Sequence, residues 1–370
     1  MSIIKARENV MTIAPYVGGD VTPNGMTRRI VLASNESPLG PSPLVVDFFK
    51  NFSLPLASYP SGSASALKEA LAALYHVDLS HVICGNGSED IIHLICRAFV
   101  GEGDDVVIPQ YGFLVYPIAT KASGAHCVFV PQIGLRSDVD AIVNAMTSRT
   151  KVVFLDNPGN PLGCLMQRED VMRLHQNLPE SVLLVLDEAY AEYVTDPEFE
   201  SGLSLFKRTP NVIVLRTFSK AYGLASLRIG WAHAAPHLLD PLNRIRQPFN
   251  VNSIAQAVGC IALQDQQWIE KAREHNHIWR SWTKRKLETA GFKVNPSYGN
   301  FLLFDCGSMD KAQQLYSDLG ERGITLRPVG GYGLHQHLRV SVGKDTEMEE
   351  FIHVLNTFNS VECHKRTSSP

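Results

Sequence analysis

Residues 212–223 read VIVLRTFSKAYG, an apolar run followed by a segment rich in polar residues. The first four residues are typical of a strand buried on both faces of a parallel sheet. Thr217, Ser219 and Lys220 follow at the end of that strand, where open α/β sheets place their ligands. A Ser-Lys pair by itself is more often part of a surface loop. The preceding strand instead predicts that Lys220 lies at the mouth of a sheet.

A second cation, Arg228, follows shortly after this lysine. A lysine amine is a nucleophile only when its surroundings favour the uncharged form or a Schiff base. An arginine together with the hydroxyl groups of Thr217 and Ser219 suits an anchored phosphate group. A lysine for covalent chemistry beside a phosphate anchor predicts pyridoxal phosphate as the cofactor.

Length and composition limit the class of protein. At 370 residues the chain exceeds the roughly 250 to 300 residues at which single cores stop growing, so we expect a large and a small domain. The 34 basic and 37 acidic side chains give a net charge of -3 without long runs of either sign, and we expect no nucleic-acid partner. The 13 histidines lack metal-ligand spacing, and we predict no metal site.

The cysteines and the apolar segments bear on the compartment. None of the seven cysteines forms a C-x-x-C pair, and an odd count argues against a disulfide framework. We find neither a signal-peptide core nor an apolar segment of membrane-spanning length. We therefore expect a cytoplasmic protein with no membrane association.

Strand-like apolar runs alternate with amphipathic segments through most of the chain, which predicts an α/β fold with a mostly parallel sheet flanked by helices. After residue 251 the pattern changes to long helices with a few short strands, typical of a smaller α+β unit. We predict four parts: an N-terminal arm at 1–45, a large cofactor-binding domain at 46–255, a small domain at 256–362 and a disordered tail at 363–370.

Residues 85–90 read GNGSED between the end of a strand and the start of a helix. Glycines let the backbone approach an anion, and the helix offers unpaired N–H groups. An ordinary turn with Ser88 as the helix N-cap is equally open from this motif alone. Asp90 stands where a G-x-G-x-x-G motif has its third glycine, which disfavours a dinucleotide-binding reductase.

Two further polar motifs directly follow strands. Residues 156–163 read DNPGNPLG, and the two Asn-Pro pairs force a turn that can aim an amide side chain. Residues 187–190 read DEAY after an all-apolar strand, and a carboxylate there is a candidate partner for a buried cation such as a protonated pyridine nitrogen. A nucleotide hydrolase is disfavoured because no G-x-x-x-x-G-K-[ST] loop is present.

In this order the motifs resemble those of fold-type I pyridoxal phosphate aminotransferases, and most closely the histidinol-phosphate aminotransferase branch. The resemblance runs nearly end to end. Its more specific stretches are LASNESPLGPSP at 32–43, YP at 59–60, RQPFNVN at 246–252, RP at 327–328 and LRV at 338–340.

The resemblance implies roles for individual residues. Lys220 is similar to the lysine that forms a Schiff base with the cofactor and later moves a proton. Asp187 matches the partner of the pyridine nitrogen, Asn160 and Tyr190 match donors to the phenolic oxygen, and Tyr111 matches the aromatic residue stacked on the ring. The implied phosphate-binding residues are Gly87, Ser88, Glu89, Thr217, Ser219 and Arg228.

The resemblance also implies a homodimer with active sites at the interface, in which Tyr59 reaches the neighbouring subunit's cofactor phosphate. Asn35 lies in a segment similar to the one that covers substrate, and Arg339 matches the arginine that binds the α-carboxylate of glutamate. Tyr16 and Arg327 are candidates for binding the substrate's phosphate. The implied reaction exchanges an amino group between glutamate or 2-oxoglutarate and histidinol phosphate or imidazole acetol phosphate, in L-histidine biosynthesis.

Some positions depart from the family pattern. Leu162 stands where threonine is usual, and we expect the missing hydroxyl to alter hydrogen bonding in the loop behind the cofactor. Ser37 replaces an asparagine in the segment that covers substrate. Substrate choice therefore stays open to an aromatic amino acid aminotransferase, to a decarboxylase of a phosphorylated amino acid and to a catalytically silent cofactor-binding protein.

Overall fold

The computed structural model describes residues 4–15, 29–53 and 57–367, with residues 358–367 described as backbone alone. The strands are β1 (Ile30–Val31), β2 (Val82–Gly85), β3 (Asp105–Pro109), β4 (His126–Val130), β5 (Thr150–Asp156), β6 (Leu183–Asp187), β7 (Val212–Thr217), β8 (Gly230–Ala234), β9 (Lys293–Val294), β10 (Phe301–Asp305), β11 (Ile324–Thr325), β12 (Arg327–Pro328) and β13 (His337–Ser341).

Helices connect most of these strands. They are α1 (Glu8–Met11), α2 (Pro43–Lys50), α3 (Ser65–Tyr75), α4 (Ser88–Phe99), α5 (Val115–Ser123), α6 (Val139–Asn144), α7 (Arg168–Gln176), α8 (Gly202–Leu205), α9 (Pro236–Ile245), α10 (Ser253–Gln264), α11 (Gln266–Thr289), α12 (Met309–Glu321) and α13 (Asp345–Thr367). Short 3-10 helices lie at Leu79–His81, Ala191–Tyr193, Ala225–Leu227 and Gly330–Tyr332.

A seven-stranded sheet of order β2-β8-β7-β6-β5-β3-β4 forms the centre of the described structure. The strands from β7 through β6, β5 and β3 to β4 pair in parallel, and β8 runs antiparallel to both β7 and β2. The predicted α/β class with a mostly parallel sheet is confirmed. Since the carboxyl ends of parallel strands meet at one edge, the polar motifs after β5, β6 and β7 come together there.

Successive side chains of each central strand point to opposite faces of the sheet, so the core has two layers. In β5, Val153 and Leu155 pack on one face with helices α3, α7 and α10, while Val152 and Phe154 pack on the other with α4, α5 and α9. Successive side chains of a strand point to opposite faces of its sheet. Helices cover both faces, so the strands are apolar throughout and only their ends can carry polar chemistry.

A second unit contains the antiparallel sheet β12-β13-β10-β9. Strand β1 pairs in parallel with β11, so the predicted N-terminal arm packs against this C-terminal unit. Helix α10 spans the boundary predicted between residues 255 and 256, and α13 continues to Thr367 where the sequence predicted a disordered tail. Among the described residues, no helix is both long and apolar enough to cross a membrane.

Candidate active site

The carboxyl ends of β5, β6 and β7 open into a cavity of about 240 Å³, which we call the active-site cavity. Residues more than three hundred positions apart in the chain, such as Ala33 and Arg339, meet in it. The predicted site residues that line it are Asn35, Ser88, Glu89, Asn160, Asp187, Tyr190, Thr217, Ser219, Lys220, Arg228, Arg327 and Arg339.

Lys220 is partly buried in this cavity, and its Nζ donates a hydrogen bond to the main-chain oxygen of Ser34 at 3.1 Å. Burial lowers the pKa of the Lys220 amine to about 8, and the nearby cations of Arg339 and Arg228 act in the same direction. About a tenth of the amine is therefore uncharged at pH 7, far more than for an ordinary lysine, and this uncharged form is the one that nucleophilic chemistry requires.

Asp187 ends strand β6 and is buried. Its Oδ2 accepts a hydrogen bond from the Tyr116 hydroxyl at 2.9 Å, and its Oδ1 accepts one from the main-chain N–H of Ala189 at 3.2 Å. Burial raises the pKa of Asp187 to about 6, while the hydrogen bond from Tyr116 opposes that shift. Above that pH the group is a fixed anion, suited to pair with a cation in the cavity.

Two hydrogen-bonded pairs, Asn35 with Tyr190 and Arg339 with Asn160, come from four distant segments. The Asn35 side chain donates to the Tyr190 hydroxyl at 2.9 Å. Arg339 donates through Nη1 to Asn160 Oδ1 and through Nη2 to the main-chain oxygen of Ala33 at 2.8 Å. Because the Tyr190 oxygen and Asn160 Oδ1 act as acceptors, the hydroxyl hydrogen and the amide Nδ2 remain donors toward a group bound in the cavity.

A cradle for an anion lies where β2 meets helix α4. Gly87 has φ of +86°, and a Cβ there would approach Arg228 Nη2 to 2.6 Å. A Cβ on Gly230 would run into the backbone of Gly87 and Ser88. Arg228 Nη1 donates to Ser219 Oγ at 3.4 Å. Glycines, a helix N-terminus and an arginine therefore converge, which fits a phosphate group.

Three predicted residues do not line the active-site cavity, and Tyr16 lies outside the described residues. Gly87 stands beside it through its contact with Arg228. Tyr59 is 82% exposed and stacks on Phe249, with ring centroids 4.6 Å apart. Its predicted reach to a neighbouring subunit stays a prediction.

Tyr111 is the third residue outside the lining. Its main-chain N–H donates to Gln132 Oε1 at 2.9 Å, and its side chain packs against a buried apolar cluster that contains Leu162. Phe113 and Tyr116 line the active-site cavity instead. The stacking role of Tyr111 stays a prediction.

Leu162 explains how the turn after β5 tolerates the loss of a threonine. Its side chain is buried with Leu303, Val329 and Leu334 of the C-terminal unit. Its main-chain oxygen accepts a hydrogen bond from the Asn295 side chain at 2.5 Å. The side chain thus makes an apolar contact with the C-terminal unit, and the altered hydrogen bonding expected from the sequence stays a prediction.

Sequence reasoning missed a buried ionic network on the opposite face of the sheet. Arg216 pairs with Glu188 through Nη1 at 3.1 Å and with Glu192 through Nη2 at 2.7 Å. Glu188 directly follows Asp187, and Arg216 directly precedes Thr217. Their positions next to the two strand-exit motifs were the available signal, because alternate residues of a strand face opposite sides. The network ties the ends of β6 and β7 together.

These elements define an aminotransferase: residues 27–355 match the family model described as aminotransferase class I and II, and the chain belongs to this family. Curated relatives indicate which branch of the family this chain resembles. A histidinol-phosphate aminotransferase of Rhodospirillum rubrum is 41% identical over 362 residues, covering 97% of this chain and 98% of the relative. One of Zymomonas mobilis is 42% identical over 360 residues, covering 96% and 97%.

A solved structure agrees with these relatives. The histidinol-phosphate aminotransferase of Sinorhizobium meliloti, in complex with pyridoxal-5'-phosphate, superposes with a TM-score of 0.89 and 29% identity, covering 96% of this chain and 99% of that one. The predicted fold-type I aminotransferase fold and the predicted family are confirmed.

Proposed function

We propose that this protein is a pyridoxal phosphate-dependent aminotransferase that exchanges an amino group between glutamate and histidinol phosphate, a step of L-histidine biosynthesis. The observation that carries the proposal is the placement of Lys220, Asp187, Arg327 and Arg339 in one cavity. The names of the curated relatives and of the solved structure support the same substrate.

The residues of the active-site cavity fit this cofactor. Asp187 suits a protonated ring nitrogen, Tyr190 and Asn160 keep donors for a phenolic oxygen, and the cradle at Ser88 and Arg228 suits a phosphate. When bound, pyridoxal phosphate supplies an aldehyde that condenses with amines and a ring that withdraws electrons from the substrate's α-carbon.

Lys220 has two tasks in this proposal. Its uncharged Nζ would bond to the aldehyde carbon that the cofactor supplies. The lowered pKa of about 8 favours this uncharged form. The same Nζ would also move a proton between the substrate's α-carbon and the carbon of the cofactor's aldehyde group. The hydrogen bond to the Ser34 main-chain oxygen orients the amine toward the cavity.

Two arginines serve two substrates with different anionic groups. Arg339 is buried, and its guanidinium is held by Asn160 and by the main-chain oxygen of Ala33. A guanidinium fixed in this way suits a carboxylate. Arg327 lines the same cavity from strand β12 and suits the phosphate of histidinol phosphate.

An apolar cavity of about 860 Å³ borders the first and shares Arg327 and Tyr332 with it. Ile118, Phe129 and Leu326 are among its apolar lining residues. An aromatic side chain would be desolvated there, which favours aromatic amino acids as a second class of amino donor.

We further propose a cytoplasmic homodimer in which Tyr59 completes the partner's site. Several large apolar side chains near Tyr59 in the sequence are exposed: Leu44 by 46%, Val46 by 47% and Phe49 by 44%. All three lie on helix α2, and exposed apolar side chains of this size are typical of a surface that another protein covers. Analytical ultracentrifugation of the holoenzyme tests whether it is a dimer. The affinity of a Tyr59→Phe variant for pyridoxal phosphate tests the role of the Tyr59 hydroxyl.

The reaction is tested by half-reactions. Protein loaded with cofactor is mixed separately with histidinol phosphate, glutamate and phenylalanine, and the absorbance change from the aldehyde to the amine form of the cofactor is followed. Fast conversion by histidinol phosphate and glutamate is the expected result. Conversion by phenylalanine and glutamate alone would replace the proposed substrate with aromatic amino acids, and release of carbon dioxide would indicate a decarboxylase.

A further inference from the structure

A second carboxylate lies beside Asp187 in the active-site cavity. Asp156 is the last residue of β5 and is paired in register with Asp187, the last residue of β6. Partners in register on adjacent strands point to the same face of a sheet, and adjacent strands are about 4.8 Å apart. Both side chains accordingly line the active-site cavity.

Asp156 is held by main-chain groups of two loops. Its Oδ2 accepts a hydrogen bond from the main-chain N–H of Asn160 at 2.7 Å, and the main-chain N–H of Phe113 also hydrogen-bonds to it. Within the described part of the chain, no cationic side chain lies close enough to Asp156 to form an ion pair. The carboxylate thus faces the cavity with main-chain partners alone.

The charges of Asp156 and Asp187 affect the pKa values of the same neighbouring groups. Burial raises the pKa of Asp156 to about 7, and the charge of Asp187 adds to the shift. The Tyr116 hydroxyl, which donates to Asp187, has its pKa raised by burial and then by both carboxylates. A cation placed beside Asp187 would relieve this repulsion and favour the ionised form of both groups.

We propose that Asp156 is a second carboxylate of the cofactor site, which acts with Asp187 to stabilise the protonated ring nitrogen of pyridoxal phosphate. The inference rests on the proposed function, because that function supplies the cation. A single carboxylate already pairs with such a nitrogen, and a second negative charge behind it raises the nitrogen's affinity for its proton further.

The competing explanation is mechanical. By its bonds to Asn160 and Phe113, Asp156 also fixes two loops that carry cavity-lining side chains. A loop clamp would affect any ligand of the cavity alike, whereas an electrostatic role depends on the charge of the ring. The test therefore needs two ligands that differ in that charge alone.

The ligands are pyridoxal phosphate and its carbocyclic analogue, which has C–H in place of the ring nitrogen. Dissociation constants are measured by equilibrium dialysis on cofactor-free protein at pH 8, for the unchanged protein, Asp156→Asn and Asp170→Asn. We expect Asp156→Asn to weaken pyridoxal phosphate binding about tenfold, one pKa unit, and the analogue by less than about twofold. Asp170, which lines a neighbouring cavity behind Asp156, provides the control and should change neither constant.

Each outcome decides the matter. Equal weakening of both ligands in Asp156→Asn would show a loop clamp and overturn the proposal, as would unchanged binding of both. If the unchanged protein bound neither ligand, the proposed function itself would fail. Asp156→Ser serves if the asparagine variant does not fold, and the ¹⁵N shift of the ring nitrogen in labelled cofactor should show less protonation in either variant.

Discussion

Replacing Arg216 by Met tests whether the buried ionic network holds the strand ends beneath the active site. The arginine side chain is 6% exposed, and its partners Glu188 and Glu192 are 2% and 6% exposed. Glu188 keeps hydrogen bonds from Ser201 Oγ and the Gly202 main-chain N–H, both at 2.6 Å. Glu192 retains no comparable side-chain partner in the described structure, so its charge is left uncompensated.

The expected loss of stability comes from the uncompensated charge of Glu192. Removing one partner of a buried ion pair costs about 3–5 kcal/mol of unfolding free energy. Glu192→Gln in the same background removes the uncompensated charge and should recover part of the loss. We expect a coupling energy of about 2 kcal/mol between positions 216 and 192, within the usual range for residues in one network.

The assay is urea unfolding followed by far-ultraviolet circular dichroism for both single variants and the double variant. Arg173→Met is the matched control: Arg173 pairs with Asp140 at 2.6 Å, but the two side chains are 44% and 73% exposed. We expect this control to cost less than about 1 kcal/mol. If Arg216→Met cost no more than the control, or if positions 216 and 192 were additive within about 0.5 kcal/mol, the reasoning would be refuted.

Three further predictions concern the active site. Lys220→Ala should hold the cofactor without a covalent bond and lose on the order of 10²–10⁴-fold in half-reaction rate from proton transfer alone, and near-normal turnover would contradict the assignment. Arg327→Ala should lower kcat/KM for histidinol phosphate more than for glutamate, and Arg339→Ala, as the reciprocal control, should lower it more for glutamate; equal losses in the Arg327 variant would remove its proposed role. Since burial lowers the pKa of Lys220 to about 8, the uncharged amine increases as pH rises, and cofactor association measured by stopped flow should accelerate about tenfold from pH 7 to 9; a flat profile would show that the amine is not the titrating group.

The chain's local pattern was sufficient to predict which elements form and which residues end them. Apolar runs of strand length followed by Asp187 or by Thr217 and Ser219 are local signals, and parallel pairing places such ends at one edge of the sheet. Helix α13 continues to Thr367, although the sequence predicted a disordered tail from residue 363.

What the sequence by itself determined was the inventory: a reactive lysine, an anion cradle, a carboxylate at a strand end and the family to which they belong. Strand order and the turning of loops depend on contacts between segments far apart in the chain. Only the tertiary structure therefore paired Asp156 with Asp187, placed Phe113 and Tyr116 in the lining of the cavity and joined Asn160 to Arg339. The physical reason is that local periodicity fixes which face of an element a side chain occupies, whereas the neighbour it meets there is decided by packing of the whole chain.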